Sequence, residues 1–277
     1  MKSAGIVVAR KVEGAIKIAS HIIKLLNENG LDILLYPPIF DNVPTVDRIE
    51  ALNVDFVISI GGDGTVLRTL LFLPNKNIPV LGIGMGERNF LSIADPSNYP
   101  AILEKVLQGN YKICEEMRLE VEIEGEKQNY PPVLNEVLFA SRITGKTCEI
   151  HVGITDKEER HLWHCKADGI IVSTPIGSTA YAYAAGGPVI DTELEGLLIV
   201  PLVPVYRRPV MVLNPNRKIV LWAGTTRSPP LLVLDGQIRV EVDYLQRVYI
   251  KKSQTPARFI VADDDISLSR LIKISRQ

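Results

Sequence analysis

The stretch Phe56-Val-Ile-Ser-Ile-Gly-Gly-Asp-Gly-Thr65 joins a short apolar run to a turn of three glycines around a single carboxylate. An apolar run of this length that ends at glycine is typical of a buried strand. Glycine permits positive φ and close backbone approach, and amide groups at the start of a following helix bind anions. We therefore predict a strand, a turn that holds a phosphate-bearing ligand, and a helix that begins near Thr65.

Asp63 is the chemically unusual residue of this turn. A carboxylate repels a phosphate unless it binds a metal or accepts a proton from a nucleophile, so Asp63 is a candidate catalytic residue. Arg68 follows Gly64 by one helical turn, and helical side chains lean toward the N-terminus, so its guanidinium is a candidate anion contact. A plain chain reversal for the turn, and an ordinary surface position for Arg68, are the structural alternatives.

Strand and helix patterns alternate on both sides of this turn. This order predicts a parallel, doubly wound α/β sheet for the N-terminal part of the chain. Apolar runs predict strands at 4–9, 31–36, 56–60 and 78–83, and helical periodicity predicts helices at 16–26, near 47–52 and at 97–107.

The pattern changes near Tyr111, where short strands with turn residues between them replace the alternation of strand and helix. That spacing predicts an antiparallel, β-sandwich-like domain over 113–256, after an α/β domain over 1–112. The tail, 257–277, reads as a strand at 258–262 and a helix at 267–274 that join the first domain. The β-domain strands are predicted at 117–124, 148–154, 169–173, 197–203, 210–213, 218–222, 231–234, 238–242 and 248–250.

Composition gives further constraints on partners and compartment. Lys and Arg total 31 against 32 Asp and Glu, a net charge of -1, which gives no indication of a nucleic acid or membrane partner. No apolar segment is long enough to span a bilayer, and no signal peptide is apparent. Three widely spaced cysteines indicate reduced thiols and a cytoplasmic protein. His161 and His164 fall on a predicted strand, where positions three apart face opposite sides, so the alternative of a zinc site there is disfavoured.

Three further stretches carry polar residues where strands end. Asn135 and Glu136 interrupt an apolar strand pattern, and this pair suits either a ribose or purine ligand or an internal polar network. The stretch 167–181, which continues to 185–188, predicts a strand, a turn and a short helix capped by a hydroxyl side chain. Hydroxyls, small residues and free amides converge there, which favours a ligand role. Residues 234–237 (Leu-Asp-Gly-Gln) read in isolation as a hairpin turn.

In combination and in chain order, these motifs closely resemble the NAD kinase family. The resemblance spans almost the whole chain and rests on Gly61-Gly-Asp-Gly-Thr65, Asn135-Glu136, Asp168-Gly169, Ser173-Thr-Pro-Ile-Gly-Ser-Thr-Ala-Tyr181, Ala185-Gly-Gly-Pro188 and Asp235-Gly-Gln237. Two positions depart from the family pattern: Ile176 stands where many members have Thr, and Lys166 where many bacterial members have Arg.

The resemblance implies the same two-domain fold and phosphorylation of the adenosine ribose 2'-hydroxyl of NAD to NADP, with ATP or polyphosphate as donor and Mg2+ or another divalent metal as cofactor. It implies that Asp63 is the catalytic base and that Gly64 and Arg68 lie at the phosphate side. The residues that it implies for holding the dinucleotide are Asn135, Glu136, Lys146, Lys166, Asp168, Thr179, Ala180, Tyr181, Ala184 and Gln237.

Two rival functions follow from the same motifs. A lipid or sphingoid alcohol kinase shares the Gly-Gly-Asp-Gly-Thr turn, but Asn135-Glu136 and 179–181 suit a nucleotide better than an acyl chain. A non-catalytic dinucleotide sensor would not require Asp63. The resemblance also implies a homo-oligomer, dimer or tetramer, that acts on small-molecule substrates. The donor and the use of NADH stay open.

Overall fold

A computed structural model describes residues 1–86, 89–155, 158–225 and 228–262. The chain divides into two compact units, one of residues 1–116 with 256–277 and the other of residues 117–255. The helix predicted at 267–274 lies outside the described residues. Within the described ranges, no helix combines the length and the apolar character that a membrane span requires.

The first unit is built on a six-stranded sheet with the order β2-β1-β3-β4-β17-β5. All neighbours are parallel except β17 and β5, which are antiparallel. The tail therefore supplies a strand inside the sheet, as predicted. The strands are β1 (Ser3–Val8), β2 (Asp32–Tyr36), β3 (Phe56–Gly61), β4 (Val80–Gly84), β5 (Lys112–Glu116) and β17 (Ala257–Val261).

Three helices cover this sheet: α1 (Ala15–Glu28), α2 (Asp63–Phe72) and α3 (Tyr99–Leu107). Helix α1 connects β1 to β2 on one side of the sheet order, and α2 connects β3 to β4 on the other side. Because both crossovers are right-handed but run in opposite directions along the sheet, α1 and α2 lie on opposite faces. The strand order thus reverses between β1 and β3, and ligands of such sheets bind beyond the carboxyl ends of the strands at this point. The glycine turn follows β3 at this position.

The second unit is a pair of antiparallel sheets around one apolar core. One sheet has the order β12-β11-β10-β7-β14-β15 and the other β6-β16-β13-β8-β9. The first sheet contains β7 (Glu136–Ser141), β10 (Gly169–Ser173), β11 (Leu197–Leu202), β12 (Met211–Leu213), β14 (Pro230–Leu234) and β15 (Ile238–Glu241). The second contains β6 (Leu119–Ile123), β8 (Cys148–Thr155), β9 (Glu159–Ala167), β13 (Lys218–Ala223) and β16 (Val248–Lys252).

Strand β10 is buried on both faces, which explains its unbroken apolar sequence. Ile170 and Val172 point into the sandwich core, while Ile171 packs against Ala182 and Ile190 on the other face. A 3-10 turn at Ile176–Thr179 and the short helix α4 (Tyr181–Ala184) cover that outer face. The sheet thus carries the strand–turn–helix segment that the sequence singled out.

Three details differ from the sequence-based prediction. Helix α2 begins at Asp63 rather than near Thr65, because the amide groups of Thr65 and Val66 both donate to the Gly62 carbonyl. The helical stretch near 47–52 is only a 3-10 turn at Ile49–Ala51. Strand β5 was not predicted; it is an edge strand with mostly exposed or half-buried side chains, so it lacks an apolar pattern.

The glycine turn supplies a matched test of packing. A Cβ atom at Gly61 would lie 2.4 Å from Thr65 Oγ1 and 2.9 Å from Ala9 Cβ, whereas a Cβ at Gly64 would meet nothing within 4 Å. Gly61→Ala should therefore lower the free energy of unfolding by about 1–3 kcal/mol. Gly64→Ala, inside α2, should leave it unchanged or raise it by up to about 1 kcal/mol. Denaturant unfolding of both variants measures the difference, and equal stabilities would contradict the packing account.

Candidate active site

Asp63 occupies the first turn of α2, and two hydrogen bonds fix its carboxylate. Its Oδ2 accepts the amide of Phe90 at 2.9 Å, and its Oδ1 accepts the amide of Leu91 at 3.0 Å. These amides belong to the segment that follows β4, so two neighbouring strand ends meet at this side chain. Asp63 is half-buried and held in a single orientation. Sequence analysis missed the two amides, because backbone donors in a loop leave no pattern of residue types.

The three glycines beside Asp63 have two different roles. The sequence analysis gave positive φ as one reason for glycine in this turn, but none of the three glycines has positive φ. Gly62, for example, has φ -83° and ψ 179°. Gly61 is needed because Thr65 and Ala9 approach it closely. Gly62 and Gly64 instead face open space, since a Cβ at either would meet nothing within 4 Å. Their bare backbone leaves room for a ligand at the start of α2.

Arg68 is exposed and interacts with Tyr36, the last residue of β2. Its Nη2 donates to the Tyr36 hydroxyl at 3.0 Å, and its Cζ lies 5.9 Å from the Tyr36 ring centroid. The guanidinium has further donors, so this contact does not exclude binding of an anion.

In the second unit, the buried carboxylate of Asp235 organises the start of β7. Its Oδ2 accepts the Leu134 amide at 2.7 Å, and its Oδ1 accepts the amides of Asn135 at 2.7 Å and Glu136 at 3.1 Å. Asp235 has φ 46° in the turn between β14 and β15, a conformation that short polar residues tolerate. The predicted hairpin turn is therefore also the support of the Asn135-Glu136 pair.

Burial shifts both carboxyl groups toward the protonated form. The pKa of Glu136 is raised to about 8, mainly by burial and secondly by the negative charge of Asp235. A hydrogen bond from the Tyr181 backbone acts in the opposite direction and lowers this pKa. Burial raises the pKa of Asp235 to about 6, and its three amide bonds oppose that rise. The amides favour the charged form of Asp235, so Glu136 holds the proton when only one of the two is ionised.

Two buried polar atoms of this pair have no hydrogen-bond partner among the described residues: Asn135 Oδ1 and Glu136 Oε2. An unsatisfied buried polar atom costs on the order of 1–3 kcal/mol. The cost is recovered if a ligand supplies donors such as an exocyclic amine or a hydroxyl. Of the two interpretations left open by the sequence, ligand binding accounts for these atoms and an internal network does not.

The hydroxyl-rich segment after β10 is mainly a support. Ser173 Oγ donates to the Asn135 carbonyl at 3.0 Å, and Thr174 Oγ1 donates to the Leu134 carbonyl at 2.6 Å and accepts the Gly177 amide at 3.0 Å. Ser178 Oγ donates to the Pro175 carbonyl at 2.6 Å. Neither short helix has the predicted side-chain cap. These hydroxyls therefore bind backbone and support the turn, and the ligand role expected for this stretch stays a prediction.

The residues implied for dinucleotide binding fall into two groups, one near each end of β10. Strand pairing puts Glu136 beside Ser173, the last residue of β10, and Asp235 donates its amide to the Glu136 carbonyl. At this end lie Asn135, Glu136, Thr179, Ala180, Tyr181, Ala184 and Gln237.

The remaining three residues, Lys146, Lys166 and Asp168, lie toward the other end of β10 and are exposed. The Asp168 carbonyl accepts the Ser141 amide, and the Lys146 amide donates to Ile143 in the loop after β7. Four residue steps along β10 separate the two ends by roughly 13 Å. One chain's sheet therefore does not gather all the implied residues at one point.

The first unit is an α/β sheet whose glycine turn places Asp63 at the point where the strand order reverses. The second unit is a β-sandwich in which Asn135 Oδ1 and Glu136 Oε2 lack a partner among the described residues. Together these features define the class of nucleotide-binding phosphotransferases. Comparison with known proteins makes this specific. Residues 4–111 match the ATP-NAD kinase N-terminal domain and residues 134–262 the ATP-NAD kinase C-terminal domain. The chain belongs to the NAD kinase family.

Individual relatives agree with this assignment. The chain is 35% identical over 273 residues to the NAD kinase of Methanothermobacter thermautotrophicus, covering 96% of this chain and 93% of the relative. A crystal structure of an NAD kinase from Archaeoglobus fulgidus in complex with ATP matches with a TM-score of 0.82, 28% identity and full coverage of both chains. Yeast NADH kinase complexed with NADH shares the fold, with a TM-score of 0.86, 19% identity, and coverage of 98% of this chain and 86% of that one.

The pKa of Glu136 generates a test through the pH dependence of stability. The folded state holds the Glu136 proton up to about pH 8, while the unfolded chain releases it near 4.5. The contribution of Glu136 to the free energy of unfolding is fully present below pH 4.5 and decreases as the pH rises toward 8. Above about pH 6 the corresponding contribution of Asp235 has already been lost. Between pH 6 and 8, the free energy of unfolding of wild type should therefore fall relative to that of Glu136→Gln. The slope of this fall against pH should correspond to at most one proton released on unfolding.

Denaturant unfolding at several pH values measures this slope for wild type, Glu136→Gln and the exposed control Glu50→Gln. We expect Glu50→Gln to follow wild type and Glu136→Gln to have the flatter curve. Parallel curves for all three proteins would show that Glu136 ionises normally in the fold.

Proposed function

We propose that this chain phosphorylates the 2'-hydroxyl of the adenosine ribose of NAD, with ATP as donor, to give NADP. The observation that carries the proposal is the geometry of Asp63: a carboxylate fixed by two amides, beside two glycines whose Cβ positions are open. Family membership supplies the identity of both substrates. Neither the lipid kinase nor the non-catalytic sensor is favoured by the comparisons or by the polar pair at 135–136.

Asp63 acts as the general base in this proposal. A ribose hydroxyl is a poor acid, so its attack on the terminal phosphorus requires a positioned acceptor for its proton. The bonds from Phe90 and Leu91 restrict rotation of the carboxylate and so reduce the reorganisation that the transfer requires. The proton passes to Asp63, the new bond forms between the 2'-oxygen and the phosphorus, and ADP leaves.

The donor phosphates lie at the start of α2 in this proposal, over Gly62 and Gly64. Backbone amides and the helix dipole favour negative charge there, and Arg68 supplies a cation in the same helix. Bound Mg2+ would neutralise charge on the donor phosphates. Mg2+ would take its oxygen ligands from these phosphates and from water, and Asp63 keeps the role of base.

The dinucleotide is bound by the second unit in this proposal. Asn135 Oδ1 accepts a hydrogen bond from the ligand, and the buried carboxyl of Glu136 bonds a ribose hydroxyl. Thr179, Ala180, Tyr181, Ala184 and Gln237 surround this pair. Lys146, Lys166 and Asp168 contact a different part of the dinucleotide, since they lie at the far end of β10.

A homo-oligomer in the cytoplasm is part of the same proposal. Exposed apolar side chains concentrate near the edge strand β12 and the loop before it, where a second copy would cover them. These residues are Val203, Val205, Tyr206, Val210 and Val212. All three cysteines are thiols rather than disulfides, which suits a reducing compartment.

Replacement of the proposed base tests the function directly. Asp63→Asn should reduce kcat by roughly 10²- to 10⁴-fold with little change in the Kd for NAD. The assay incubates protein with NAD, Mg2+ and either ATP or polyphosphate, and measures NADP with an NADP-specific dehydrogenase. Asp41→Asn, on an exposed loop, is the control and should keep wild-type activity.

Wild-type protein that makes no NADP with either donor would overturn the proposal and favour a dinucleotide sensor, and activity on a sphingoid alcohol instead would favour the lipid kinase. Full activity of Asp63→Asn would remove only the assignment of the base.

Gly64→Ala tests where the donor binds. Its methyl group would enter the open space over the start of α2, so the KM for ATP should rise at least about tenfold, equivalent to about 1.4 kcal/mol of lost binding. The KM for NAD and the stability should stay near wild type. Steady-state kinetics with each substrate varied in turn measures both constants, and an unchanged KM for ATP would place the donor elsewhere.

A further inference from the structure

Three of the four histidines of the chain lie together on strands β8 and β9, and none of them has a role in the proposed kinase site: His151, His161 and His164. Lys166 lies on the same strand, two residues after His164. One ring nitrogen from each lies within 4.8 Å of the others. His151 is half-buried and the other two are exposed. The sequence predicted that His161 and His164 face opposite sides of the strand, and the structure shows that this prediction is wrong.

A β-bulge explains the difference. His164 pairs with His151 and Trp163 with Val152, but the next pairing joins His161 to Gly153 and leaves Leu162 as the extra residue. One added residue restores His161 to the same face as His164. Leu162 and Trp163, adjacent in sequence, accordingly both pack against the sandwich core.

The spacing of the ring nitrogens suits a transition metal. A tetrahedral zinc ion with Zn–N bonds of about 2.0–2.1 Å separates its ligand nitrogens by roughly 3.3–3.4 Å. His151 Nδ1 and His161 Nε2 lie 3.4 Å apart. The third nitrogen lies within 4.8 Å of the others and needs an adjustment of up to about 1.4 Å, within reach of a side-chain rotation at the exposed His164.

The surroundings orient His151 for this role. Glu149 Oε1 lies 3.8 Å from His151 Nε2, which leaves Nδ1 toward His161. A carboxylate behind a metal-binding imidazole is the common arrangement that fixes its orientation. Trp222, the cross-strand partner of His151, stacks on its ring with centroids 5.0 Å apart and planes 9° from parallel, which restricts the rotation of the His151 ring.

We propose that His151, His161 and His164 form a binding site for a divalent transition metal such as Zn2+, with the fourth position open to water. The metal would join the edge strand β9 to β8 across the bulge. This site is independent of the proposed kinase reaction, because its ligands are imidazoles rather than the oxygen ligands that Mg2+ prefers.

Trp222 provides a direct readout of the metal. The chain has only two tryptophans, so Trp163→Phe leaves Trp222 as the single tryptophan, which is excited selectively over the tyrosines at long wavelength. In this background, with any affinity tag removed, Ni2+ should quench the fluorescence at one equivalent per chain, and Zn2+ should reverse the quench by competition. Zn2+ affinity is measured by competition with a chromophoric chelator.

Variants separate the proposed ligands from bystanders. His161→Ala combined with His164→Ala should weaken Zn2+ binding at least about tenfold, and Glu149→Gln should weaken it by up to about tenfold, since its carboxylate lies 3.8 Å from the His151 ring nitrogen. His21→Ala removes the fourth histidine, which bonds Tyr99 in the other unit, and should bind as wild type. Wild-type protein that binds no Zn2+, or a double variant that binds as tightly as wild type, would overturn the proposal.

Discussion

The carboxylate of Asp235 is the interaction on which the second unit's site depends. It replaces strand pairing for three consecutive amides, those of Leu134, Asn135 and Glu136, just where β7 begins. With these donors satisfied, the chain before β7 leaves the sheet and the Asn135 carbonyl turns toward the segment after β10. Gly177 approaches that carbonyl so closely that a Cβ would lie 2.1 Å from its oxygen. A buried charge thus fixes the backbone, and the backbone fixes the two unsatisfied side-chain atoms.

Much of the fold was predictable because burial leaves periodic patterns. The apolar run of β3 and the two-sided run of β10 were predicted from sequence, and so was the return of β17 to the first sheet. The resemblance to a family came from several motifs in chain order, and membership was confirmed by the domain matches. Edge strand β5 escaped prediction because one of its faces needs no apolar residues.

The site was less predictable, because its geometry depends on atoms that residue types do not show. The Phe90 and Leu91 amides that hold Asp63 are backbone groups, available at almost any sequence. Asp235 appeared to be a simple turn residue, since a turn and a buried anchor use the same Asp-Gly sequence. Ser173, Thr174 and Ser178 suggested a ligand site because local sequence does not distinguish hydroxyls that bind backbone from hydroxyls that face a ligand.

The bulge at Leu162 has a consequence for how relatives are compared. If Leu162 were deleted, the two β9 histidines would lie two positions apart on a regular strand and would still share a face. If all four residues from His161 to His164 were kept but the bulge were lost, the two histidines would lie on opposite faces. The bulge and the spacing of these histidines, rather than histidine identity alone, therefore decide whether a relative keeps the cluster.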